Sequence, residues 1–75
     1  MRYYLKKLRL DNSATQMELA EALGIGQGYY SDIENGTKLK VIDLILLDKI
    51  AKYYGVTLQS LVEEELKIIK ESKGA

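Results

Sequence analysis

The side chains that could carry chemistry in this chain are carboxylates, lysines, tyrosines and carboxamides, because its 75 residues include neither cysteine nor histidine. Those two absences remove the commonest zinc ligands and the commonest general base. They also exclude a disulfide framework, which fits a reducing cytoplasm. No pair of the remaining groups is placed in an evident cleft, so neither enzyme activity, a cofactor nor a metal is expected. The run Glu63-Glu64-Glu65 reads as a solvated helix face rather than a cation site. What remains is recognition chemistry, and there the charges matter. Eleven basic and eleven acidic residues cancel, whereas nucleic-acid binders usually carry a basic surplus. Glu18, Glu21, Asp32 and Glu34 all fall between Thr15 and Gly36, a stretch without Lys or Arg. Attraction for phosphate must therefore come from the flanks, from Lys38 and Lys40 first, with Arg2, Lys6 and Lys7 as further sources.

The elements that must position these groups are helices. Short polar or glycine-bearing breaks divide the chain into five helical stretches, with neither proline nor a repeat. The first spans about residues 3–10, with Tyr4, Leu5 and Leu8 on one face. Thr15 with Glu18 forms a capping box that opens the second, and Gly24 stands where a left-handed residue ends it. The third begins near Gly26-Gln27 and stops at Asn35-Gly36. The fourth starts after an Asp43 N-cap, carries Leu44, Leu47, Ile50, Ala51 and Tyr54 as its stripe, and stops at Gly55. Thr57 caps the fifth. The expected fold class is all-α, a compact bundle of about five helices in a single domain over residues 1–75. The longest apolar run, Leu44 to Leu47, is far too short to cross a bilayer, and MRYYLKKLRLD lacks the apolar core of a signal peptide. The expectation is a soluble, cytoplasmic protein without a membrane partner.

Residues 16–36 carry the most information. Leu19, Ala20, Leu23, Gly24, Ile25, Tyr30 and Ile33 each have a mechanical reason in a helix-turn-helix. Ala20 is small where the next helix crosses, at roughly 90–120°. Gly24 permits the tight turn, and Leu19, Leu23, Ile25 and Ile33 close the angle from inside.

On the segments TQMELAEALGIGQ, YYSDIENG and KIAKYYGVTLQSL, the chain resembles the phage repressor (Cro/CI-like) helix-turn-helix family. The resemblance runs from Leu5 to about Val62 and implies a lambda-repressor-like DNA-binding domain that acts as a transcriptional regulator, a repressor of a bacterial or phage operator. It places Gln16, which opens the second helix, on a DNA phosphate. Gln27, at the start of the recognition helix, is placed on adenine, where its amide can pair bidentately. The DNA-facing set becomes Gln16, Gln27, Gly28, Tyr29, Asp32, Asn35, Lys38 and Lys40. Arg9 and Glu34 are implied as a structural ion pair joining the first helix to the end of the third. The chain also departs from the family. Tyr30 replaces the usual valine or isoleucine, and Gly28 stands where many relatives present a base-contacting side chain. The segment from Gly36 to Ile50-Ala51 is about two residues longer than usual. Asn35 reads equally well as a turn former, and Tyr29 as a solvent-exposed tyrosine.

Apolar residues beyond the core stripes suggest a second copy as partner. Ile45 and Leu46 lie off the stripe of the fourth helix, and in the fifth Leu66, Ile68 and Ile69 lie one to two turns beyond Leu58, Leu61 and Val62, past where a bundle this small can cover them. They are the expected homodimer interface, with residues 57–72 as the dimerising helix, and a two-fold pair would read an inverted-repeat operator in double-stranded DNA. The alternative is an antitoxin-like or anti-regulator module on the same scaffold, whose main task is to capture a protein partner of unknown identity.

Overall fold

The helices Gln16–Leu23 and Leu44–Tyr54 each start on a side-chain cap and stop on a glycine. The computed structural model describes residues 1–39 and 41–74, with side chains through Glu71. Its elements are α1 (Tyr3–Asp11), α2 (Gln16–Leu23), α3 (Gln27–Asn35), α4 (Leu44–Tyr54) and α5 (Leu58–Gly74), and no strand occurs among the described residues. At the head of α2 the Glu18 N–H donates to Thr15 Oγ1 at 3.1 Å, and the Thr15 N–H donates to Glu18 Oε1 at 2.9 Å. Asp43 Oδ1 accepts the Leu46 N–H at 2.8 Å to open α4. The Ser60 N–H donates to Thr57 Oγ1 at 3.2 Å to open α5. Helices α2, α3 and α4 end alike, on a glycine in the left-handed region. At Gly24, with φ +73°, the Ile25 N–H reaches back to the Ala20 carbonyl at 2.9 Å. This closes a Schellman motif that satisfies carbonyls the helix leaves open.

The chain divides into two compact units, Met1–Leu39 and the remainder. In the first, α3 packs on α2 and on α1. Leu5, Leu19, Ala20, Leu23, Tyr30 and Ile33 are buried, and each large apolar side chain so enclosed contributes about 1.5–3 kcal/mol. In the second, α4 packs on α5, and Leu47, Ile50, Ala51 and Leu61 are buried. Two readings of the sequence need correction. Leu44 is 65% exposed and leaves the α4 stripe to Leu47, Ile50 and Ala51. The acidic run is not uniformly solvated, because Glu65 is only 6% exposed. It follows buried Leu61 by one helical turn, so helix geometry carries it to the inner stripe whatever its charge.

Two arginines of the first unit converge on the end of α3. Arg9 donates from Nε to Glu34 Oε2 and from Nη2 to Glu34 Oε1, both at 3.1 Å, and from Nη1 to the Ala14 carbonyl at 3.2 Å. The Arg9 and Glu34 side chains are 13% and 2% exposed, so this pair is largely removed from water. Arg2, 2% exposed, donates from Nη1 to the Ile33 carbonyl at 2.8 Å, while its backbone N–H donates to the Glu34 carbonyl, also at 2.8 Å. Breaking one partner of a buried pair strands the other charge, so Arg9→Ala is expected to destabilise the protein by about 3 kcal/mol. Replacing both residues, as Arg9→Met with Glu34→Leu, restores most of that loss. Chemical denaturation of the three proteins measures both effects, and a single-variant loss below about 1 kcal/mol would contradict a buried pair.

Candidate nucleic-acid interface

Three residues, Gly24-Ile25-Gly26, separate α2 from α3, the length of turn a helix-turn-helix uses. The inner side of this corner is the apolar set above, and apart from buried Glu34 the polar residues of both helices are exposed or half-buried. Gln16 is the first residue of α2 and is half-buried. Gln27 is the first residue of α3 and is exposed, as are Gly28 and Tyr29 behind it. Tyr29 is 40% exposed while its neighbour Tyr30 is fully enclosed. Asp32 is half-buried, and Asn35 and Lys38 are exposed. Lys40 lies outside the described residues.

The two helix starts differ. α2 has its third N–H satisfied by Thr15. α3 is preceded by Gly26, which offers no side-chain cap. The first N–H groups of a helix have no intrahelical acceptor, and around Gln27 nothing but glycine flanks them. This end of α3 therefore presents one carboxamide between two glycines, with the Tyr29 ring exposed behind it. A Cβ at Gly26 or Gly28 would meet nothing within 4 Å, and neither residue has a positive φ. The fold requires neither glycine.

The acidic count overstates the repulsion at this surface. Glu34 is turned inward and neutralised by Arg9, and the Glu18 carboxylate is engaged with the Thr15 N–H. Glu21 remains exposed. Among the flanking cations, Arg2 must be withdrawn as a source of phosphate attraction, since it is buried and spends its donors on carbonyls. Sequence reasoning missed its real task. The usable signal was residue type: of the eleven basic residues only Arg2 and Arg9 are arginine, and arginine's rigid fork suits buried, multiply bonded positions. Lys6, Lys7 and Lys38 are exposed. Lys7 pairs with Asp11 at 2.8 Å, and this hydrogen bond, followed by the carboxylate's charge, raises the pKa of its ammonium.

The described residues hold no group of acidic side chains placed to bind a metal ion. No described helix is long and apolar enough to cross a membrane.

Comparison with known proteins follows the same outline. Residues 5–61 match the protein family described as helix-turn-helix. An uncharacterized HTH-type transcriptional regulator, YqaF of Bacillus subtilis (strain 168), is 55% identical over 38 residues, covering 51% of this chain and 50% of its own length. The cryptic phage CTXphi transcriptional repressor RstR of Vibrio cholerae is 32% identical over 60 residues, covering 80% of this chain and 52% of its own length. The chain thus spans about half the length of the curated relatives it matches. No solved structure is a significant match.

The glycines of the corner separate by stability. Gly24→Ala is expected to lose about 1–2 kcal/mol from the left-handed backbone alone, since no neighbour is there to clash. Gly28→Ala is expected to gain about 0.5–1 kcal/mol, the helix-interior difference between the two residues. Thermal and urea unfolding read both, and a loss at position 28 would contradict the open surroundings described for it.

Proposed function

We propose, because the chain belongs to the helix-turn-helix family, that it binds double-stranded DNA sequence-specifically through α3 and acts in the cytoplasm as a transcriptional regulator, a repressor of a bacterial or phage operator. The observation that carries this reading is the exposed first turn of α3. Gln27 stands there between two glycines that the fold does not need, and Gln16 is the first residue of α2. In the major groove the Gln27 carboxamide pairs bidentately with the N6 and N7 edge of adenine. Gln16, with the free N–H groups of its helix start, holds a phosphate and fixes the register. Lys38 and the lysine that follows it by two positions supply charge where the backbone leaves the groove, and Tyr29 packs on sugar or a thymine methyl.

The regulator acts as a homodimer in this reading. Ile45 is 74% and Leu66 47% exposed, and Leu46, Ile68 and Ile69 are half-buried. All five lie on α4 and α5, within one compact unit. A two-fold pair needs one self-complementary patch. Pairing doubles the phosphate contacts, which matters for a chain with no net charge. Two recognition helices roughly 34 Å apart then call for an inverted repeat with half-sites about 10 base pairs apart.

Two measurements test the reading. Gln27→Ala is expected to lose about 1–3 kcal/mol on the preferred duplex and to relax choice at one base pair, with random DNA bound as before. Equal losses on specific and random duplexes would make Gln27 a phosphate or folding residue instead. Ile69→Glu is expected to give a folded monomer in sedimentation equilibrium, with much weaker operator binding. An unmodified protein that stays monomeric at high micromolar concentration would overturn the dimer.

A further inference from the structure

The segment after α3 is held more tightly than an exposed loop needs to be. The Gly36 N–H donates to the Ile33 carbonyl at 3.2 Å, and the N–H groups of Thr37 and Lys38 both fold back onto the Asp32 carbonyl, at 2.9 and 3.2 Å. The Thr37 hydroxyl donates to that same carbonyl at 3.2 Å. Beyond this point the restraint comes from Arg2, which is 31 residues or more away in sequence. One amine of its guanidinium spans the Ile33 carbonyl at 2.8 Å and the Lys38 carbonyl at 3.4 Å, and the other donates to the Leu39 carbonyl. Lys38 is therefore pinned at both ends of its backbone, by its N–H on Asp32 and its carbonyl on Arg2, while its side chain is exposed. Leu39 sits at φ +53°, a region that L side chains avoid unless their surroundings impose it.

We propose that Arg2 is a positioning residue for DNA binding, which acts by fixing the backbone of Lys38 so that the Lys38 ammonium meets a DNA backbone phosphate without first having to order the loop. The inference rests on the DNA-binding reading above and adds a residue to it. A loop already in its bound conformation avoids the entropy of ordering on association. Arginine is required because its planar fork can serve the helix end and the loop at once. Lysine, a point charge on a flexible stem, keeps the positive charge near the α3 C-terminus but cannot span three carbonyls. Arg2 is itself too deeply buried to touch phosphate, so its effect on DNA must pass through the loop.

The test is a double-mutant cycle read in affinity and in its salt dependence. Binding of the unmodified protein, Arg2→Lys, Lys38→Ala and the double variant is measured across a salt series, on a duplex selected by the unmodified protein and on a random one. Losing one phosphate contact lowers the slope of log K against log salt by about one per subunit and weakens both duplexes alike. Lys38→Ala is expected to do this. Arg2→Lys is expected to weaken both duplexes alike with the slope unchanged, because the cost of ordering the loop releases no counterions. The double variant is expected to match Lys38→Ala alone. The ratio of specific to random affinity should not change. Arg2→Lys with unaltered affinity, or a double variant whose losses multiply, would overturn the proposal. Should Arg2→Lys fail to fold, amide relaxation in the unmodified, DNA-free protein decides. Pinning predicts order parameters near those of rigid backbone, about 0.85, at Lys38 and Leu39, and values below about 0.6 would overturn it. An unmodified protein that selects no duplex at all removes the DNA-binding reading and this inference together, whereas selection with an Arg2→Lys affinity equal to that of the unmodified protein removes the inference alone.

Discussion

A carboxylate taken out of water must have its charge met, and Glu34 is that carboxylate. Ionised and alone it would carry a desolvation penalty of several kcal/mol. The bidentate approach of Arg9 offsets it, through two parallel charge-assisted hydrogen bonds whose geometry leaves little freedom to either partner. Because Arg9 belongs to α1 and Glu34 to α3, the pair fixes where the end of α3 lies relative to α1. Arg2 ties the same helix end through its carbonyls. A cation at that end also complements the negative pole of the helix dipole. The packing of Leu5, Ile33 and Tyr30 makes the unit stable. The arginines make the orientation of one helix specific.

That rigidity at one end of α3 contrasts with the openness at the other. The C-terminal end is bound by two guanidiniums and a Schellman turn, and the N-terminal end has a glycine cap and an exposed glycine second residue. A helix held firmly at its tail presents its head in a reproducible place, which is what recognition of a rigid groove needs. The missing side chain at Gly28 forgoes helix stability that the fold could have had. It leaves Gln27 with bare backbone on both sides.

Local chemistry is legible in this sequence, and tertiary burial of charge is not. The ends of α2, α3 and α4 follow from Thr15, Asp43 and three glycines because caps and left-handed turns depend on residues within one turn of each other. The corner of α2 and α3 is legible for the same reason, as small and apolar types at fixed offsets. Arg2, by contrast, is indistinguishable from a solvated flanking cation until the α3 carbonyls are brought to it from more than thirty residues away. Glu65 looks like one of three equivalent acids, and only its place one turn after Leu61 separates it from Glu63. Leu44 misleads in the opposite sense: it has the type and the spacing of a core residue, yet it lies in the first turn of α4 and remains in solvent.

Selection from a library of random duplexes tests most directly whether α3 reads DNA by sequence. The protein is expected to enrich one inverted-repeat motif with half-sites about 10 base pairs apart. Repeated rounds that enrich no motif, at a salt concentration where the protein is folded and dimeric, would contradict it.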